Sequence, residues 1–189
     1  MYPTKDEAKR LLSEAGTCNP GPWVDHSEVV ACCAEQIADR CENLDKDKAY
    51  VLGLLHDIGR KFGIKHLGHV YDGYTYMTEL GFSDVARVCV THSFPTKKME
   101  EFIGKNDITK EQQEELEFYL GELEYDDYDR LIQLCDSIGA AEGVVSMEER
   151  MGDVKRRYGY YPQEKWDANF ALKDYFGKKI GMDIYELLK

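Results

Sequence analysis

An all-α bundle is the fold this chain predicts, on three observations. Apolar residues recur at three- and four-residue steps through nearly the whole sequence, no stretch alternates long enough to make a sheet strand, and capping patterns open several of the apolar stretches. At 189 residues the chain has the length of one ordinary domain, and no internal repeat or low-complexity linker divides it. The expectation is a single domain over 1–189, with a core at about 24–142 and a C-terminal helical extension at about 143–189.

Thr4 and Glu7 have capping-box spacing and open a first helix that ends near Gly16, followed by the rigid turn Asn19-Pro20-Gly21-Pro22. A second helix starts near Asp25. Val30, Cys33 and Ile37 fall four, seven and eleven residues after His26, which puts the histidine on the inward stripe. Asp45 or Asp47 caps a third helix, in which Leu52, Leu55 and Ile58 keep the stripe and His56 and Asp57 fall on the last turn before Gly59 and Gly63. The next helix carries His69, Gly73, Met77 and Leu80 on one face. Ser83 caps a segment in which Val85, Val88 or Cys89, and His92 share a side, and Pro95 stops it. Thr109 and Gln112 start an acidic, largely solvated helix. Further on, Tyr128, Ile132, Cys135, Asp136 and Gly139 form an inward face, and the tail adds a basic helix at 150–158 and one or two closing helices.

Composition narrows the function classes. With 36 acidic against 24 basic side chains the net charge is −12, which repels polyanions and leaves no basic stripe for a nucleic-acid polymer. No apolar run reaches the roughly 20 residues of a membrane span, and the N-terminus is charged, so the expectation is a cytoplasmic protein without a membrane partner. Six cysteines without a CxxC pair read as small apolar fillers in a reducing compartment.

Four of the five histidines, His26, His56, His69 and His92, lie on apolar faces or ends of separate predicted helices, while His66 does not. One such histidine is ordinary packing. Four of them with Asp57 and Asp136, whose carboxylates are costly to bury unpaired, make a nitrogen and oxygen donor set suited to iron, manganese, zinc, cobalt or nickel.

The stretch LLHDIGR resembles the central signature of the HD-domain superfamily: a histidine, an adjacent His-Asp, and a distant aspartate on a helical bundle. The resemblance spans about 24–142 and implies that His26, His56, Asp57 and Asp136 hold one divalent transition-metal ion. His69 in GHVYDGY and His92 in VTHSFP match members with a second ion, for which Asp57 would be the bridge. It implies a phosphohydrolase acting on a small phosphorylated molecule, a nucleotide being favoured, through metal-activated water, with catalytic roles for Asp57 and Arg60. Arg60 stands three places after the doublet aspartate, as in the similar HD-type bis(nucleosyl)tetraphosphatases. Ser93 after His92 and the lack of a Gly-Tyr-Pro triplet point away from the cyclic-dinucleotide phosphodiesterases. Two rival readings share the ligands: an HD-fold di-iron oxygenase, and a metal-binding regulatory module without turnover. Other candidates are Asp25 and Glu28 as supports for the histidines, Asp72, Tyr74 and Tyr76 as pocket walls, and Lys61, Lys97, Lys98, Arg150, Arg156 and Arg157 as phosphate contacts, each equally or better explained as plain packing or solvated charge. Oligomeric state is left open.

Overall fold

The computed structural model describes all residues 1–189 and is all-α. Helices α1 (Lys5–Cys18), α2 (Trp23–Ala38) and α3 (Lys46–Leu55) pack together. The chain then makes a 3-10 turn at Ile58–Phe62 and continues through α4 (Leu67–Glu79), α5 (Ser83–Thr91), α6 (Lys110–Glu122) and α7 (Asp127–Asp136). A hairpin of two-residue strands, β1 (Gly139–Ala140) and β2 (Gly143–Val144), leads into α8 (Met147–Tyr158), α9 (Gln163–Ile180) and α10 (Ile184–Leu187). This hairpin is the only sheet, and its two-residue strands are too short to show as an alternating run in the sequence.

The apolar stripes face inward as the sequence predicts. Val30, Cys33 and Ile37 of α2, Leu52 and Leu55 of α3, and Ile132 and Cys135 of α7 are all buried in one main core. Phe176 of α9 and Ile184 of α10 are buried in the same core, so the tail helices close over it. A smaller cluster of Leu67, Val70, Val90, Phe94, Leu116 and Leu120 sits under α6, whose other residues face solvent or are half-buried. Fully burying each large aliphatic side chain contributes about 1.5–3 kcal/mol.

Two close approaches set the geometry around the candidate site. A Cβ on Gly53 would lie 2.9 Å from the Ala31 backbone, so α2 and α3 cross at small residues and bring the chain segments of His26 and His56 together. A Cβ on Gly59 would lie 2.0 Å from the His69 carbonyl oxygen and 2.5 Å from the Gly73 amide nitrogen. Only glycine lets the turn after Asp57 lie against the start of α4.

Several sequence expectations shift in detail. Asp45 caps α3, and Thr109 with Gln112 forms the expected capping box. Asp126 with Asp129 forms a second box that the sequence reading passed over. Ser83 does not cap α5: its hydroxyl accepts a hydrogen bond from the Met1 ammonium at 2.8 Å. Leu80 is exposed, because α4 ends at Glu79 and the C-cap residue turns away from the stripe. Cys33, Cys41, Cys89 and Cys135 are buried fillers, with burial pushing the Cys33 thiol up to about 12, whereas Cys18 and Cys32 are exposed and fill nothing. No helix is long and apolar enough to cross a membrane.

Candidate metal centre

The ends of helices supply the six candidate ligands. His26 lies in the first turn of α2, His69 in the first turn of α4, His56 and His92 directly after α3 and α5, Asp57 one residue further, and Asp136 at the end of α7. His56 and Asp57 thus lie just beyond the helix rather than on its last turn; Asp57 has φ −103° and ψ 14°, which bends the chain into the following 3-10 turn. A helix end leaves carbonyl groups without intrahelical partners. His56 Nδ1 uses such a group, donating to Gly53 O at 2.7 Å, and His92 Nδ1 donates at 3.0 Å to Val88 O, which also accepts the His92 backbone N–H. His69 Nδ1 donates to His66 O, and His26 Nδ1 to Gly139 O at 3.2 Å across to the hairpin.

A carbonyl only accepts, so each of these four rings carries its proton on Nδ1 and, when neutral, turns an Nε2 lone pair into the site. His26 Nε2 lies 3.0 Å from Asp136 Oδ1, and His56 Nε2 lies 3.8 Å from the same oxygen and 4.0 Å from Asp57 Oδ2. On the other side, Asp57 Oδ1 is 3.1 Å from His69 Nε2 and 3.6 Å from His92 Nε2. The donors fall into two groups, His26 with His56 and Asp57, and Asp57 with His69 and His92, with all ligand atoms of a group within 4.8 Å of one another. Asp57 belongs to both. Asp136 flanks the first group from the cavity side, where its side chain is 29% exposed.

Charge and burial fit an ion. His56 Nε2, Asp57 Oδ1 and His69 Nε2 are buried without a hydrogen-bond partner, which is costly unless a cation serves these lone pairs. Burial holds His92 down at about 3, with neighbouring His56 adding to it against the pull of Asp57 and Asp136, and burial likewise lowers His56; both rings are neutral donors at neutral pH. Burial alone would raise the Asp57 carboxyl, but the neighbouring Arg60 guanidinium outweighs it and holds the group well below the usual carboxylate range. The same balance, with the His26 contact as the largest lowering influence, keeps Asp136 ionised.

A scan against family models matches the HD domain over residues 23–141. The chain belongs to the HD domain family. No curated protein and no solved structure gives a match, so the family is the level at which the comparisons speak. HD domain proteins are typically metal-dependent phosphohydrolases, and the two donor groups lie inside the matched residues.

Above the ligands opens a cavity of about 640 Å3, the size of a small-molecule site. His26, Asp57, His69, His92 and Asp136 reach its floor, and Arg60 lies on its wall with Nε 2.5 Å from Asp57 Oδ2. Arg150, Arg156 and Arg157 also line it, whereas Lys61, Lys97 and Lys98 do not: Lys61 donates to the Tyr76 hydroxyl at 3.0 Å, Lys97 to the Leu123 carbonyl, and Lys98 pairs with Glu164. Asp72, Tyr74 and Tyr76 lie off the cavity too. Asp72 pairs with Lys65 at 2.5 Å, and Tyr74 packs on Tyr119. Asp25 and Glu28 are exposed, the backbone carbonyls having taken the supporting role.

Three residues on the cavity wall were missed. His66, set aside in the sequence for lying off the stripe, stands at the cavity with its ring edge-on to Tyr158 at 5.9 Å. Ser93 offers its hydroxyl to His92 Nε2 at 2.9 Å. Lys165, on α9, is buried; burial pushes its ammonium down to about 8 while Asp136 and Glu101 pull the other way. A lone lysine in a tail helix carries no sequence signal for any of this.

Proposed function

We propose that this HD domain protein is a metal-dependent phosphohydrolase that cleaves a small phosphorylated substrate, a nucleotide being the favoured class. The observation that carries the reading is the shared carboxylate: Asp57 belongs to two donor groups, on the floor of a cavity whose wall carries cations. His26, His56 and Asp136 would hold an ion on one side of Asp57, and His69 and His92 one on the other. Ions held there supply an activated water near neutral pH and positive charge for phosphoryl oxygens. Arg60 leans on Asp57 and presents the rest of its guanidinium to the cavity, where it would meet a phosphoryl oxygen. Trp23, Phe102, Tyr158 and Tyr161 line the same cavity and offer faces on which a base can stack, which supports a nucleotide over a bare phosphoester.

The test is metal analysis of protein purified without added ions, followed by a panel of phosphomonoesters and nucleotides assayed with and without air. Phosphate release that needs the ion and ignores oxygen supports the reading. Turnover that needs oxygen and reduced iron would replace it with the di-iron oxygenase, and bound metal without turnover on any phosphoester would leave the regulatory module.

A further inference from the structure

Six cations line the cavity, and four are already ion-paired. Arg60 pairs with Asp57 at 2.5 Å, Lys65 with Asp72 at 2.5 Å, and Arg156 and Arg157 share Asp153 at 3.3 and 2.9 Å. Arg150 and Lys165 are different. Arg150 makes no ion pair and no side-chain hydrogen bond, and its Nε is buried without a partner. Lys165 is 9% exposed, has no carboxylate within salt-bridge distance, and gives its ammonium one protein acceptor, the Ser93 carbonyl at 2.8 Å. Glu142 and Glu149 also border the cavity, yet neither meets Arg150.

Burying a cation without a counter-charge works against folding, and a fold keeps such groups where a ligand supplies the charge. The candidate ligands would occupy one phosphoryl group, and a cavity of about 640 Å3 leaves room well beyond it. We propose that Arg150 and Lys165 form a second anion subsite, which takes a further phosphate of the substrate and makes the preferred substrate a di- or oligophosphate rather than a monoester. The subsite deepens the phosphohydrolase reading and rests on it for the word substrate. Both cations come from α8 and α9, beyond the residues that match the HD domain, so α8 and α9 would select the substrate while the matched region holds the ions.

The probe is methylenediphosphonate, whose P–C–P bridge resists hydrolysis, titrated calorimetrically into manganese-loaded protein freed of excess ion. Arg150→Gln and Lys165→Met should each weaken binding about tenfold or more, the range for losing a charge-assisted contact, with metal content unchanged. Arg156→Gln, which removes a cation already paired to Asp153, should change it less than about threefold. Lys165→Met should also melt at or above the parental temperature, because it removes a buried charge; if it does not fold, Arg150→Gln and Arg156→Gln decide the matter. No binding by the parent, binding by Arg150→Gln within about threefold of the parent, or an equal loss in Arg156→Gln would overturn the subsite. Phosphate release from a panel of phosphomonoesters and nucleoside di- and triphosphates by the same preparations is the separate arm. Its absence removes the phosphohydrolase reading and leaves the diphosphonate result standing as binding, whereas its presence with cation-insensitive binding removes the subsite alone.

Discussion

The candidate ligands come from residues 26 to 136, and each of their imidazoles is gripped by a main-chain carbonyl, whereas the unpaired cations of the cavity come from residues 150 and 165 and ride on long side chains. The first region holds its groups by backbone geometry at helix ends; the second only brings charge within reach. An ion needs donors placed to a few tenths of an ångström, while a flexible phosphate tolerates looser placement. The matched region therefore fixes what chemistry is available, and the tail helices influence what is admitted to it.

The sharpest way to break this contrast is at Asp57. Asp57→Asn removes the charge common to both donor groups and is expected to lose both ions and all turnover, measured by metal analysis and phosphate release. A variant that keeps its ions and its rate would mean that the centre is not the catalytic site. Gly59→Ala comes next. The new methyl would drive into the His69 carbonyl, push His69 from Asp57, and cost about 3 kcal/mol in urea unfolding together with one ion; parental stability and ion count would show that the close approach does not set the site.

Phe176→Ala probes whether the two regions are one cooperative unit, as we propose. Phe176 is fully buried in the main core although it belongs to the tail, so its truncation should destabilise the whole chain by about 3–5 kcal/mol in a single transition. Two resolved transitions would make the tail a separable piece. Arg60→Ala is expected to lower turnover about ten- to a hundredfold with both ions retained, as befits a charge-assisted contact of about 1.5–3 kcal/mol. Loss of an ion in that variant would recast Arg60 as mainly a support for Asp57, to which it is already paired.

The most gradual effect is in pH. His92 binds its proton at about 3 in the folded protein, against about 6.5 in the unfolded chain, so between those values the unfolded state holds the extra proton. Metal-free protein should thus lose stability as pH falls below about 6.5, at roughly 1.4 kcal/mol per pH unit for this group, and His92→Gln should show a shallower slope. The tail has no histidine and adds no imidazole to the slope.

The helical stripes and the ordered set His26, His56, Asp57, His69, His92 and Asp136 were legible because both depend on local spacing and on residue types with few other uses. The supports were not. A carbonyl is present at every position, so nothing in the sequence distinguishes Gly53, Val88 or Gly139 as the acceptor for a ring, and the expectation fell on Asp25 and Glu28, which point outward. Lys165 was hidden for a different reason, and Arg150 was one of six cations offered as phosphate contacts with nothing in the sequence to single it out. Their place depends on the return of α8 and α9 across the mouth of the site, a tertiary event that hydrophobic periodicity does not encode. Leu80 and Ser83 missed by a residue or two at helix ends, where the stripe stops constraining the chain.

The carbonyl grip on the four histidines also bears on how far this protein can be re-engineered. Every amino acid brings the same carbonyl, so a library that randomises the cavity walls, or even the side chains at Val88 and His66, does not delete the groups that aim the rings. Directed evolution toward a new substrate could then vary the walls widely and keep the four imidazoles oriented. The positions to leave fixed are few, and among them are Gly53, Gly59 and Gly139, where no side chain is tolerated without moving the backbone or its neighbours.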